Sequence, residues 1–135
     1  MKKYVRTVAI YLGFALIAGG LLSILLAPVA RWNRIMRPYY TEAAHVMADA
    51  EWALDQPDSP ERSTALGVRA QVVADELDSG IGPVPSCAFI GVVHLQEAMR
   101  LIERAYFGMP VEARAILIKV ARGHVDAAAE DAFCP

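Results

Sequence analysis

No acidic side chain occurs in the first 41 residues of this 135-residue chain, and the whole of it holds only two cysteines. The first absence excludes an ordinary water-facing start, because a soluble surface mixes both signs of charge. The second excludes a disulfide-dense scaffold and leaves room for one staple at most. The short patterns of catalysis are missing too: there is no G-x-S-x-G elbow, no Gly-rich phosphate loop, no H-E-x-x-H, no His-x3-His and no Cys-x-x-Cys. Hydrolase, nucleotide-binding and zinc-protease chemistry therefore have no support in the sequence. The carboxylates offer no isolated pair in an apolar setting, as general acid-base work would need. Internal repeats, low-complexity tracts and sustained heptads are absent as well, which argues against a solenoid or a long coiled coil.

What is present begins with residues 7–27, TVAIYLGFALIAGGLLSILLA, whose one ionisable group is the phenol of Tyr11. About 20 apolar residues suffice to cross a bilayer as a helix. Lys2, Lys3, Arg6, Arg31, Arg34 and Arg37 flank the run, where they meet phosphates at a membrane surface. From Pro38 onward the balance reverses to seven basic against fifteen acidic side chains, a formal −8. So acidic a domain is a poor nucleic-acid binder. A basic start before an apolar run also describes a secretory signal, but this run exceeds the usual 7–15 residues, and Pro28 spoils cleavage after either Ala27 or Ala30. Retention as an anchor is the expectation.

Three basic side chains precede the helix and three follow, so the positive-inside rule barely orients it. The cysteine pair breaks the tie by favouring an oxidising side for the domain. The expected layout is a cytoplasmic N-terminus at 1–6, a membrane helix at 7–27, an interfacial connector at 28–39 and a periplasmic helical domain at 40–135. Arg31, Trp32, Arg34, Tyr39 and Tyr40 are expected to form a collar at headgroup level. Ala15, Gly19, Ser23 and Ala27 recur every four residues and line one face of the helix with small side chains, where a second helix could approach closely.

The fold class expected is all-α, with the membrane helix followed by a small bundle of about four helices. Pro28 and Pro38 should kink or break the connection. The first bundle helix spans about 40–56, with Tyr40, Ala43, Ala44, Met47, Ala50 and Leu54 inward. Ser59 is a natural N-cap and Pro60 suits the first helical position, so a second helix runs over about 60–78 on Leu66, Ala70, Val73 and Leu77. Residues 79–86, SGIGPVPS, form a loop whose glycines permit a left-handed exit, with Ile81 and Val84 pinning it to the core. A third helix over about 87–107 carries a wide arc of Ala88, Val92, Leu95, Ala98, Met99, Ile102 and Tyr106, and so belongs at the centre. Gly108-Met109-Pro110 is a short turn into a fourth helix over about 111–132.

A short turn makes the last two helices an antiparallel hairpin. Folding the chain about Met109 sets Cys87 level with residue 131, close to Cys134, so a disulfide between Cys87 and Cys134 is expected. The same fold sets His94 level with His124, near the apolar arcs of both helices. Two facing imidazoles can start a metal or haem site, and His45 and Met47 are the nearest further candidates, yet partly buried histidines bonded to ordinary partners are the commoner outcome. No cofactor or metal is therefore expected. Arg114 falls on an apolar side and should pair with an acid of a neighbouring helix.

The functional expectation is a non-catalytic, single-pass accessory or assembly subunit of a larger bacterial inner-membrane complex. Its partners would be the lipid bilayer and a membrane protein complex or helix partner, with no nucleic acid. A phage or plasmid periplasmic regulator (a lysis inhibitor, exclusion or immunity protein), a His94/His124 metal or haem module, and a thiol-redox protein using Cys87 are the alternatives.

Overall fold

The computed structural model describes residues 2–135, with side-chain surroundings given from Ile10 onward. Lys2, Lys3 and Arg6, expected as the basic N-terminus, lie outside the described side chains. Four helices follow one another: α1 (Lys2–Leu54), α2 (Pro60–Ser79), α3 (Phe89–Phe107) and α4 (Val111–Asp131), with no strand among the described residues. α1 is long and apolar enough in its N-terminal part to span a membrane.

The expected break at Pro28 and Pro38 is absent, because α1 runs through both prolines. A proline in a helix forfeits one N–H bond to the carbonyl four residues back. Around Pro38 that loss is offset by burial on either side. Trp32 and Met36 before it, and Ala43, Val46, Met47 and Ala50 after it, form one stripe with 4% exposure at Trp32 and none at the other five. Around Pro28 the residues from Ile24 to Ala30 are all apolar, and α1 continues through them. The bundle's first helix is therefore the C-terminal part of α1, and the described residues form four helices where five were expected.

The chain divides into two compact units, Met1–Arg31 and Trp32–Pro135. In the first unit, every position from Ile10 to Pro28 is exposed except the half-buried Gly13. In the second, α3 packs against both α2 and α4, and its expected arc of Ala88, Val92, Leu95, Ala98, Met99, Ile102 and Tyr106 is buried throughout. Met36, Met47, Leu77, Leu95, Met99, Ile102 and Ile118 are the largest fully buried side chains. Each contributes about 1.5–3 kcal/mol by leaving water. Three of the seven are methionines, whose unbranched chains fill irregular gaps between crossing helices.

The punctuation of the chain sets the ends of its helices. Ser59 caps α2, its hydroxyl accepting from the Arg62 N–H at 3.4 Å, with Pro60 at the first helical position. In the 79–86 loop the left-handed residue is Gly82, at φ 76°, while Gly80 closes α2 at φ −95° by donating its N–H to the Glu76 carbonyl. Ile81 is 8% exposed and pins the loop as expected.

Four arginines tie neighbouring segments together. Arg69 on α2 reaches Asp49 and Glu42 on α1 at 2.5 and 3.0 Å. Arg100 on α3 reaches Asp75 on α2 at 2.6 Å and Glu103 on its own helix at 2.9 Å. Arg122 on α4 grips Glu51 on α1 through two parallel hydrogen bonds. Arg114 on α4 reaches Asp58, which lies in the α1–α2 loop and not on a helix as expected. That last arginine is only 13% exposed; its Nε donates to the Ala105 carbonyl at 3.1 Å, and its guanidinium lies over the Tyr106 ring.

Candidate functional site

The α3–α4 hairpin concentrates the chain's least common side chains. A glycine makes this possible: a Cβ at Gly91 would fall inside the backbone of Asp131 and Ala132, so the start of α3 and the end of α4 touch backbone to backbone. Such close approach is one of the few uses for which glycine has no substitute. Cys87 and Cys134 are joined there by a disulfide, with their Cα atoms 5.4 Å apart. Cys134 is 5% exposed, whereas Cys87 lies at the surface.

The chain's C-terminal segment is also clamped to α1. The indole of Trp32 donates to the Ala132 carbonyl at 3.0 Å. The Asn33 carboxamide binds Cys134 on both sides, accepting from its N–H and donating to its carbonyl, each at 2.9 Å. Tyr40 meets Phe133 edge to face with ring centroids 5.7 Å apart. Three residues of the 32–40 stretch thus hold the C-terminal segment. Trp32 therefore leaves the expected collar and becomes a core residue of the bundle. Tyr39 and Tyr40 are half-buried, while Arg31 and Arg34 remain exposed. Sequence reasoning missed this clamp because its partners lie 100 residues apart; the signal that could have found it is an apolar-polar pair, Trp32-Asn33, in register with the buried stripe of α1.

Two turns beyond the disulfide, His94 and His124 face each other. Their Nδ1 atoms are 2.9 Å apart and their ring centroids 5.1 Å, with the planes inclined at 41°. Both rings are half-buried. A hydrogen bond between two Nδ1 atoms needs one donor and one acceptor, so the two rings hold different proton placements. Among the described residues no group of three His, Cys, Asp or Glu side chains gathers around a common point. His45, the third histidine, is exposed on α1, and Met47 is fully buried in the core. Glu42 and His45 have Glu-x-x-His spacing, which sequence reasoning overlooked, but Glu42 is already paired with Arg69.

Electrostatic perturbations lie at two ion-paired carboxylates and one buried phenol. Glu51 is held below the usual carboxylate range by the Arg122 hydrogen bonds, and Asp58 by its bond from Arg114. Burial pushes the Tyr106 phenol up; its hydroxyl donates to the Ala50 carbonyl at 2.7 Å. A cleft of about 290 Å³ between α1 and α2 is lined by Asp49, Trp52, Arg62 and Arg69. Its cations are already engaged, Arg62 over the Trp52 ring at 5.2 Å and on the Pro57 carbonyl, Arg69 on its two acids.

The small-residue stripe belongs to the N-terminal unit. Ala15, Gly19, Ser23 and Ala27 are exposed, and a Cβ added at Gly19 or Gly20 would touch nothing within 4 Å. The Ser23 hydroxyl donates to the Gly19 carbonyl at 2.8 Å, so the one polar group on that face is satisfied within the helix. Compared with protein families, characterised proteins and solved structures, the chain matches none of them.

Proposed function

We propose that this chain is a non-catalytic, single-pass accessory or assembly subunit of a larger complex in a bacterial inner membrane. Its N-terminus lies in the cytoplasm and its helical bundle in the periplasm. The observation that carries the reading is the open stripe of Ala15, Gly19, Ser23 and Ala27 on an apolar helix. In lipid there is no hydrophobic drive between helices, so association rests on close van der Waals packing, which small residues permit. A second helix can approach this face without stranding a polar group, because the Ser23 hydroxyl is already bonded. The periplasmic placement is supported by the Cys87–Cys134 disulfide, a bond that persists in oxidising compartments. Arg31, Arg34 and Arg37 suit anionic headgroups, while the acidic bundle is repelled by them.

The test is co-purification of the full chain from gently solubilised native membranes, comparing substitutions on the two faces of the helix. Gly19→Leu and Ser23→Leu should abolish a defined complex. Ile17→Leu and Leu21→Ile, on the opposite face, should leave it intact. A complex that survives both pairs of substitutions, or a lone monomer from the unaltered chain, would overturn the reading.

A further inference from the structure

We propose that His94 and His124 form a two-imidazole binding site for a divalent transition-metal ion, with Cu²⁺ favoured. The pair belongs to the hairpin alone and is independent of the subunit reading above. Metal–imidazole bonds are about 2.0–2.1 Å long, so two such nitrogens in neighbouring positions of a square-planar or tetragonal ion lie about 2.9 Å apart, and in a tetrahedral ion about 3.3 Å. The observed Nδ1–Nδ1 separation is 2.9 Å. Backbone movement is not required. Each ring turns about its softest torsion until its lone pair aims at a common point beside the N–N line.

Proton bookkeeping is simple for the neutral pair. One ring carries its hydrogen on Nδ1 and donates it to the other. Binding needs both Nδ1 lone pairs, so that hydrogen moves to Nε2 of the same ring, and no proton is released. If the pair holds one proton more, that proton goes to solvent as the metal binds.

The scaffold is rigid where it matters. The Cys87–Cys134 disulfide and the backbone contact at Gly91 set the spacing of the two helices within two turns of His94. A preformed pair keeps more of its binding free energy than one that must be ordered by the ion. With no third protein ligand of the His, Cys, Asp or Glu type gathered there among the described residues, the remaining positions fall to water. The site is thus open to exchange, unlike a closed structural zinc site. Two imidazoles and solvent favour Cu²⁺ over Zn²⁺ and Ni²⁺ by the usual order of affinities.

The experiment uses the full-length, tag-free chain in mild detergent, titrated with Cu²⁺ and followed by calorimetry and electron paramagnetic resonance. One equivalent should bind, with a tetragonal spectrum carrying coupling to two imidazole nitrogens. His94→Gln and His124→Gln should each weaken binding by roughly 10²-fold, the usual loss when a second linked contact disappears. His45→Gln should change nothing. Where a glutamine variant loses its helical circular dichroism, ¹⁵N-histidine labelling of the unaltered chain gives the ligand count without mutation. Undiminished binding in the folded double variant, coupling to fewer than two imidazoles, or no saturable binding below about 100 μM would overturn the proposal.

Discussion

Phe14, Leu16 and Ile24 are 70–75% exposed, while Leu95, Met99 and Ile102 are wholly buried. The two regions draw on the same residue types and solve opposite problems. In the N-terminal unit apolar side chains point outward all round the helix, and the small residues form the exception on one face. In the bundle the buried apolar side chains form inward stripes while Phe89, Ile90 and Ile116 stay 58–69% exposed, and Gly91 sits where two backbones touch. The contrast teaches that hydrophobic content says little about where a residue sits. The surrounding pattern decides: the uninterrupted apolar run is long enough to span a membrane, and a stripe at helical spacing implies a protein neighbour.

The contrast can be broken most severely at the disulfide. Reducing the Cys87–Cys134 bond, or replacing Cys87 by Ser, releases a loop closed over 47 residues, and the chain-entropy model puts the loss at up to about 4 kcal/mol. Urea unfolding of the bundle with and without reductant should show that fall, while the helicity of the N-terminal unit in detergent stays constant.

Next come the two kinds of glycine. Gly91→Ala forces a methyl into the Asp131–Ala132 backbone and should cost about 2–3 kcal/mol of bundle stability. Gly19→Ala meets open space and should leave the same unfolding midpoint within about 0.5 kcal/mol. Equal effects at both sites would erase the distinction between a packed and an unpacked glycine.

The arginines provide a finer test inside the bundle. Arg114 is mostly covered, bonded to the Ala105 carbonyl and Asp58, and stacked on Tyr106. Arg114→Ala should cost about 2 kcal/mol, since its removal strips packing and leaves a carbonyl without its donor. Arg69 is 40% exposed, and Arg69→Ala should cost under about 1 kcal/mol. Denaturant midpoints of the two variants, measured at low and high salt, separate them, because Arg69 acts through ion pairs that salt screens, whereas Arg114 also acts through packing on Tyr106 and a bond to a neutral carbonyl.

The smallest effect is the pH dependence. Glu51 and Asp58 titrate lower in the folded chain than in the unfolded one. Their contribution is therefore complete above the unfolded values of 4.5 and 3.8 and is lost as the pH falls below them. Tyr106 titrates higher when folded, so its contribution is complete below 10.0 and is lost as the pH rises beyond it. Urea midpoints should be flat between these limits and fall at both ends. The acid limb should shrink in Arg122→Gln, whose guanidinium is the main cause of the Glu51 shift.

Much of the fold was legible, and for local reasons. Ser59-Pro60 starts α2 because a hydroxyl and a preset φ suit a helix N-terminus, and Gly108-Met109-Pro110 turns the hairpin because neither flank can continue a helix. Once a hairpin turn is placed, which residues lie level is arithmetic, and the cysteine and histidine pairs followed from counting away from Met109. The passage of α1 through Pro38 was not legible. Sequence shows the forfeited hydrogen bond at a proline, while the burial of Trp32 that helps to compensate it depends on a partner 100 residues away.

By itself, then, the sequence determined the apolar N-terminal run, the helical punctuation, the buried arc of α3 and the level pairing of His94 with His124, because each depends on near neighbours and a fixed rise per residue. Tertiary structure alone decided that Trp32 and Asn33 hold the C-terminal segment, that Gly91 is the point of backbone contact, and that Asp58 is the acid for Arg114. Those choices are made between segments far apart in the chain, where packing and hydrogen-bond satisfaction act together and no local pattern records the outcome.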